Sequence, residues 1–249
     1  NGTVYFAISG QSNNSQLWKT DGTANGTVLV KELFVSTGTG VEGFGIYSIT
    51  AIKNKLYFTA YGANYTYVLF VSDGTAVGTY KMSDNILNPA QFVAGSTDTA
   101  DPWVYFTASS NQNSNRSLYV TNGQQGVAGI ASGFTGITSG NFFNQNLINV
   151  GGVIYFAGRD NINAQNESLY KFDINAGNGM QPVKIITGTG TGNAYSYVIS
   201  LYHLNGNLYF NVYDAVSAKY QLWKSDGTST GNVLLKDNLY SNNYFNGNG

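Results

Sequence analysis

The sequence predicts an all-β fold, a five-bladed propeller of four-stranded antiparallel blades, on three observations. An aromatic strand signature recurs five times, as Val4-Tyr5-Phe6, Leu56-Tyr57-Phe58, Val104-Tyr105-Phe106, Ile154-Tyr155-Phe156 and Leu208-Tyr209-Phe210. Its Tyr positions are 52, 48, 50 and 54 residues apart, and a period near 50 marks one supersecondary unit copied many times. Composition adds 31 Gly, 19 Tyr, 14 Phe and only 3 Pro, an inventory of strands and turns. No window carries the apolar spacing of an amphipathic helix over three turns. A β-solenoid or a fragment of a longer array shares this periodicity, but four strands per unit suit a propeller blade.

Each repeat reads as four strands, called A to D. Strand B is the Tyr signature. Strand C follows 13 to 15 residues after that Tyr, at Leu17-Trp18, Leu69-Phe70, Leu118-Tyr119, Leu169-Tyr170 and Leu222-Trp223. Strand D is a β-branched run, Val28-Leu29-Val30, 183–186 or Val233-Leu234-Leu235, and strand A is the apolar segment of the type 47–52, 146–150 or 199–204. The expected arrangement is one domain over 1–249 with repeats at 1–46, 47–98, 99–145, 146–198 and 199–249. The first repeat lacks a strand A, and 240–249 is expected to supply it, because Tyr244-Phe245-Asn246 echoes Phe142-Phe143-Asn144.

Between C and D three repeats carry Asp-Gly-Thr, at 21–23, 73–75 and 226–228; the third keeps Asn122-Gly123 and the fourth Asp173. Asp accepts backbone N–H bonds from its own turn, and Gly supplies a positive φ. Calcium is the competing use of these carboxylates, but such a site needs six to eight oxygens and each turn offers one Asp. The turns are therefore expected to be structural. The recurring rings are expected to pack the repeats, since a ligand site rarely needs one ring five times.

The stretches 17–27, Leu-Trp-Lys-Thr-Asp-Gly-Thr-Ala-Asn-Gly-Thr, and 222–232, Leu-Trp-Lys-Ser-Asp-Gly-Thr-Ser-Thr-Gly-Asn, resemble the bacterial repeat named for its Glu-Leu-Trp-x-x-Asp-Gly-Thr core. The likeness runs on into Val28–Glu32 and Val233–Asp237. Repeats one, two and five are close to that pattern; Gln16 and Gln221 replace its leading Glu, and repeats three and four have drifted. The resemblance implies a secreted or surface propeller-type protein and supplies no activity. The overall design also resembles the five-bladed tachylectin-type lectins, a likeness of architecture, and fold does not imply function.

Up-and-down strands place the short A–B links and the Asp-Gly-Thr turns at one end. B–C loops (59–67, 107–117, 157–168, 211–220) and D–A loops (34–45, 85–95, 131–145, 187–196) fall at the other, and they vary in length and content. Variable loops on a repeating frame are where binding is placed. The expected ligand-binding residues there are Tyr61, Tyr65, Arg159, Asp160, Tyr195, Tyr213 and Asp214; Tyr197 is a further loop aromatic. Tyr among Asn and Ser offers apolar faces and hydrogen bonds at low entropic cost. The ordinary alternative is that these rings pack their own loops.

Catalysis finds few groups here. There is one histidine, His203, in an A-type strand, no cysteine, and 13 carboxylates. Asp160 and Asp214 occupy equivalent positions in adjacent repeats and are the one pair that could serve a glycosidase, which needs carboxylates about 5 to 9.5 Å apart. No enzyme activity, cofactor or metal is expected. A net charge of −1 from 12 basic and 13 acidic residues leaves no basic stripe for nucleic acid, and no apolar run reaches membrane-spanning length. Charged residues make up 10% of the chain, a surface composition common in exported bacterial proteins. A chain opening at Asn1 is read as a processed product. The expected function is a secreted or surface binding module, monomeric, recognising glycan; an adhesive or protein-interaction scaffold is the rival.

Overall fold

The computed structural model describes residues 2–9, 14–35, 45–61, 66–96, 103–110, 116–131, 147–158, 167–176, 183–184 and 196–239. The chain divides into two compact units, Asn1–Ala131 and Ser132–Gly249. The first holds repeats one to three and the second repeats four and five. Apart from a single 3-10 turn, Ile174–Ala176, the described elements are strands.

In the first unit, repeat one is a three-stranded sheet of β1 (Val4–Ser9), β2 (Asn14–Thr20) and β3 (Val28–Val35) in the order β1-β2-β3. Repeat two contributes β4 (Ile46–Ile52), β5 (Lys55–Tyr61), β6 (Tyr67–Ser72) and β7 (Tyr80–Lys81). Repeat three, whose strand A places its start near Leu87 rather than at 99, contributes β8 (Leu87–Ala94), β9 (Val104–Ser109), β10 (Ser117–Thr121) and β11 (Ala128–Ile130). These eight strands form one sheet, because Leu87 of β8 bridges to Val68 of β6. The two-residue β7 leaves the start of β6 uncovered for that bridge.

In the second unit, repeat four is β12 (Leu147–Val150), β13 (Val153–Gly158), β14 (Ser168–Asp173) and β15 (Val183–Lys184). Repeat five is β16 (Tyr197–Leu204), β17 (Asn207–Asp214), β18 (Lys219–Ser225) and β19 (Asn232–Leu239). Each forms a four-stranded sheet in sequence order, and every pairing is antiparallel. The described strands thus form four separate sheets, in the order expected from the sequence, repeat one being described from strand B to strand D.

The aromatic periodicity is a set of cross-strand pairs. Phe6 faces Trp18, Phe58 faces Phe70, Phe106 faces Tyr119, Phe156 faces Tyr170 and Phe210 faces Trp223. Ring centroids of the first four pairs lie 6.5, 5.6, 5.7 and 5.8 Å apart in stacked geometry. Such pairs are the unit of sheet stabilisation. Trp18 Nε1 donates to Gln16 Oε1 at 2.9 Å and Trp223 Nε1 to Gln221 Oε1 at 3.0 Å. The glutamines at the drifted motif position thus satisfy the indoles without adding a charge.

Successive sheets bury strand B on both faces, which is why its run is continuously apolar rather than alternating. In β5, Leu56, Phe58 and Ala60 pack with Leu17 and Val30 of repeat one, while Tyr57 packs with Phe92, Val104 and Phe106 of repeat three. In the second unit Tyr155 and Leu169 share a core with Leu201, Leu208 and Phe210. The first sheet differs: β1 has β2 as its one described strand partner, and Val4 is 59% exposed where its counterpart Val104 is 1%.

Two loop expectations are corrected. Residues 85–95 contain β8, which pairs with β9 through two register shifts. Pro89 and the positive φ of Asn88 (51°) and Gln91 (61°) break its period, and proline inside a run hides a strand from pattern reading. In 211–220 the strands reach Asp214 and resume at Lys219, so the connection is a tight turn. The 240–249 tail lies outside the described residues.

Candidate functional site

The end of the strands that carries the C–D turns is built alike in repeat after repeat. Asp21, Asp73 and Asp226 each accept the backbone N–H of the Thr two residues on at 2.9 Å and its hydroxyl at 2.7 Å. Those hydrogen bonds, the hydroxyl first, hold all three carboxyls below the usual carboxylate range. Gly26, Gly78 and Gly231 complete the motif, because a Cβ at any of them would occupy the carboxylate's place. No group of three or more acidic, His or Cys side chains that could hold a metal occurs among the described residues. These carboxylates are spent inside their own turns.

The same turns are sockets for the preceding repeat. Gly74, Gly123 and Gly227 have φ of 87°, 70° and 84°, and a Cβ on them would strike the hydroxyl of Tyr5, Tyr57 and Tyr155 respectively. A lysine from the preceding repeat reaches the same glycine carbonyl: Lys19 Nζ to Gly74 O at 3.0 Å, Lys55 to Gly123 O at 2.6 Å, and Lys171 to Gly227 O at 2.9 Å. Tyr80 adds a bond to Gly123 O at 2.5 Å. Three of the recurring tyrosines of strand B therefore plug the next repeat, and burial raises the pKa of Tyr57 to about 12.

The opposite end is not repetitive. In repeat two the start of strand A, the end of strand B and the start of strand C place Tyr47, Tyr61 and Tyr67 together. Tyr61 and Tyr67 are register partners with ring centroids 4.2 Å apart, and Tyr47 meets Tyr67 edge-on at 5.4 Å. Burial, then hydrogen bonds with Tyr61 and Tyr47, push the Tyr67 hydroxyl well above the ordinary phenol range, while Tyr47 stays 41% exposed. Repeat five has tyrosines at two of these positions, Tyr213 and Tyr220, and a third at a different place on strand A: Tyr213 pairs with both Tyr197 and Tyr220, with centroids at 5.1 and 5.0 Å, and the Tyr197 and Tyr220 hydroxyls lie 3.4 Å apart.

The position two residues ahead of the C-strand leucine is Ser15, Tyr67, Arg116, Glu167 and Tyr220 along the five repeats. Glu167 is buried and its Oε2 accepts the Val198 N–H at 3.2 Å, tying the start of β14 to the start of β16. Arg116 is buried against Thr107. This column holds four of the residues that sequence reading missed, Tyr67, Arg116, Glu167 and Tyr220. Counting back two places from each Leu17-type residue would have found it.

Of the expected binding residues, Tyr61 and Tyr213 fall in the two tyrosine trios, one in each unit. Each has tyrosine rings of its own repeat as neighbours. Asp214 caps the β17–β18 turn, accepting from Val216 N at 3.2 Å and Ser217 Oγ at 2.6 Å. Tyr65, Arg159, Asp160 and Tyr195 lie outside the described residues, and so does the carboxylate pair that Asp160 would form. His203 is an exposed strand residue opposite Leu208.

No protein-family model matches the chain, and no curated protein matches it. Solved structures do. The xyloglucanase of glycoside hydrolase family 74 from Xanthomonas campestris matches at TM-score 0.57 and 15% identity over 94% of this chain and 36% of its own. A puromycin hydrolase matches at 0.57 and 11% identity over 96% and 37%, and prolyl oligopeptidase B from Galerina marginata at 0.54 and 12% over 95% and 33%. These neighbours are β-propeller proteins, so the chain has a propeller-like all-β fold. It spans about a third of the length of each, and at such identities the likeness concerns the fold alone. No helix among the described residues is long and apolar enough to cross a membrane.

Proposed function

We propose that this chain is a non-catalytic binding module, secreted or displayed at a cell surface, which recognises glycan through the strand end carrying the tyrosine trios. Its architecture in this reading is a single five-bladed propeller. The observation that carries the proposal is the pair of tyrosine clusters, Tyr47/Tyr61/Tyr67 and Tyr197/Tyr213/Tyr220, which share the Tyr61/Tyr213 and Tyr67/Tyr220 positions in two different units. Clustered phenols present apolar ring faces beside hydroxyl donors, the combination a sugar with one apolar face and many hydroxyls requires. A chain with 10% charged residues adds few competing ion pairs. Two sites also allow avidity without new contacts.

The test is a glycan array probed with labelled protein, with and without calcium. Binding to a related set of sugars, weakened at least ten-fold by Tyr61→Ala or Tyr213→Ala and insensitive to calcium, is the expected result. Silence across a broad array sinks the glycan reading and directs the search to a protein partner by pull-down.

A further inference from the structure

Inside each unit the leading face of one repeat packs on the trailing face of the next. The leading face carries the strand-B tyrosine, the strand-C leucine and an apolar residue of strand D. Tyr5, Leu17 and Val30 of repeat one share a core with Leu56, Phe58 and Ala60 of repeat two, and Tyr57, Leu69 and Met82 of repeat two share one with Val104, Phe106 and Ala108 of repeat three. Tyr155 and Leu169 of repeat four meet Leu208, Phe210 and Val212 of repeat five in the same way. The trailing face is thus the other side of strand B, and at these three joints none of its strand-B residues named here is more than 9% exposed.

Two faces of the same construction stand exposed. The trailing face of repeat one holds Val4, Phe6 and Ile8, with Val4 59% and Ile8 41% exposed and Phe6 half-buried. The leading face of repeat five holds Tyr209, Leu222 and Leu235. Leu222 is half-buried where Leu17, Leu69 and Leu169 are fully buried. Leu235 and Val30 each follow the residue opposite the strand-C tryptophan, yet Leu235 is 45% exposed and Val30 5%. The polar parts of the joint match as well. Gly22 is exposed at a φ of 91°, with nothing within 4 Å of a Cβ built on it, whereas Gly74, Gly123 and Gly227 are buried against a tyrosine hydroxyl. On repeat five, Tyr209 and Lys224 are register partners. So are Tyr5 and Lys19, and Tyr155 and Lys171, the pairs that plug Gly74 and Gly227.

We infer that repeat five of a second copy of this chain seats on repeat one, with Leu222 and Leu235 against Val4, Phe6 and Ile8, the Tyr209 hydroxyl over Gly22 and the Lys224 ammonium donating to the Gly22 carbonyl. The occupant is a second copy because this is a joint the sequence already makes three times, and both of its halves stand exposed in the single chain. Contiguous apolar surface of this kind marks an interaction site, and the glycine turn accepts one particular tyrosine and lysine pair. The contact joins unlike surfaces, so it is heterologous, and copies add head to tail into a ring or an open row according to the rotation at each joint. The glycan reading does not enter this inference. The five repeats remain the blades of the architecture proposed above, and the joint from the fifth to the first is the one assigned to a pair of copies.

The test is the mass of the full chain by analytical ultracentrifugation, from about 1 to about 100 μM, for wild type, V4E, L235E and an equimolar mixture of the two variants. Wild type gains mass with concentration. Each variant spoils one half of the joint, so either alone stays at the monomer mass, its dissociation constant raised at least about ten-fold by a charge buried without a partner. The mixture recovers a pair and nothing larger, because the L235E copy keeps repeat one intact and the V4E copy keeps repeat five. Both substituted side chains are exposed, and a cooperative melt of each variant checks that it folds. Should either not fold, K224A removes the ammonium alone and is expected to weaken association about ten-fold. A wild type that stays monomeric over the whole range, as the sequence suggested, overturns the inference; with both variants melting lower, that result means the joint is closed within one chain. Association that survives in V4E or L235E alone, or a mixture that stays monomeric, overturns it too.

Discussion

At one end of the strands the repeats make the same bonds; at the other they share almost none. The glycine N–H after Thr20, Ser72, Thr121 and Ser225 is held at 3.0 Å every time, and the Asp-to-Thr and Gly-to-Thr bonds recur in all three Asp-Gly-Thr turns. The opposite end offers Ser15, Tyr67, Arg116, Glu167 and Tyr220 at one equivalent position. Chemistry repeated in three or four of the five repeats serves what those repeats share, which is to pack on a neighbour. Chemistry confined to one or two of them is free to serve a ligand.

The largest way to break this contrast is to remove a socket. Gly74→Ala adds a Cβ at a φ of 87° and drives it into Tyr5, whereas Gly22→Ala adds one at a φ of 91° into open space. Chemical denaturation is expected to show a loss of about 3 kcal/mol for the first and about 1 kcal/mol for the second, strain alone costing about 1–2 kcal/mol. Equal losses would mean that the socket contributes nothing beyond backbone strain. Asp73→Ala is expected to cost less than Gly74→Ala, about 0.5 to 1 kcal/mol, since it removes the turn's acceptor while the exposed Thr75 N–H and hydroxyl turn to water. An unchanged midpoint would show the turn to be held by glycine alone.

Smaller effects appear with pH. The turn aspartates titrate below their usual value of 3.8 in the folded chain, so their contribution is complete above that value and is lost as pH falls through the lower folded value. A variant with Asn at 21, 73 and 226 keeps the acceptor oxygen and should melt with a flatter dependence between about pH 4 and 2. Tyr57 runs the other way. Its folded value of about 12 lies above the ordinary 10, so its contribution is present below pH 10 and lost as pH rises towards 12, and Tyr57→Phe should remove that part of the alkaline slope. Smallest of all is Lys219→Ala, which cuts the exposed pair with Asp237 at 3.2 Å and should leave the unfolding midpoint unchanged within error.

How much was legible follows the same division. Val-Tyr-Phe and Leu-Trp recur because the Phe and Trp-position rings meet across strands and three of the tyrosines plug the next repeat, so the strand plan is legible in the sequence. β8 was missed because Pro89 and two bulges break the period that reveals a strand. Tyr61 and Tyr213 were visible as the ends of strand B, but Tyr67 and Tyr220 come into play only once register sets them opposite. Arg116 stayed hidden because burial is a property of the folded sheet, and a lone arginine in an asparagine-rich stretch reads as surface.

The plug and socket carry a further consequence. Within each unit every joint sets a tyrosine and a lysine on one repeat against a glycine turn on the next, so the connection has a direction, and repeat two brings both halves of it, the Gly74 socket and the Tyr57 and Lys55 plug. A stretch of about 50 residues copied in frame therefore arrives already able to join its neighbours on both sides. Duplication can multiply the frame while the far end of each copy remains free to diverge, and a gene built this way can explore new specificities without first redesigning its joints.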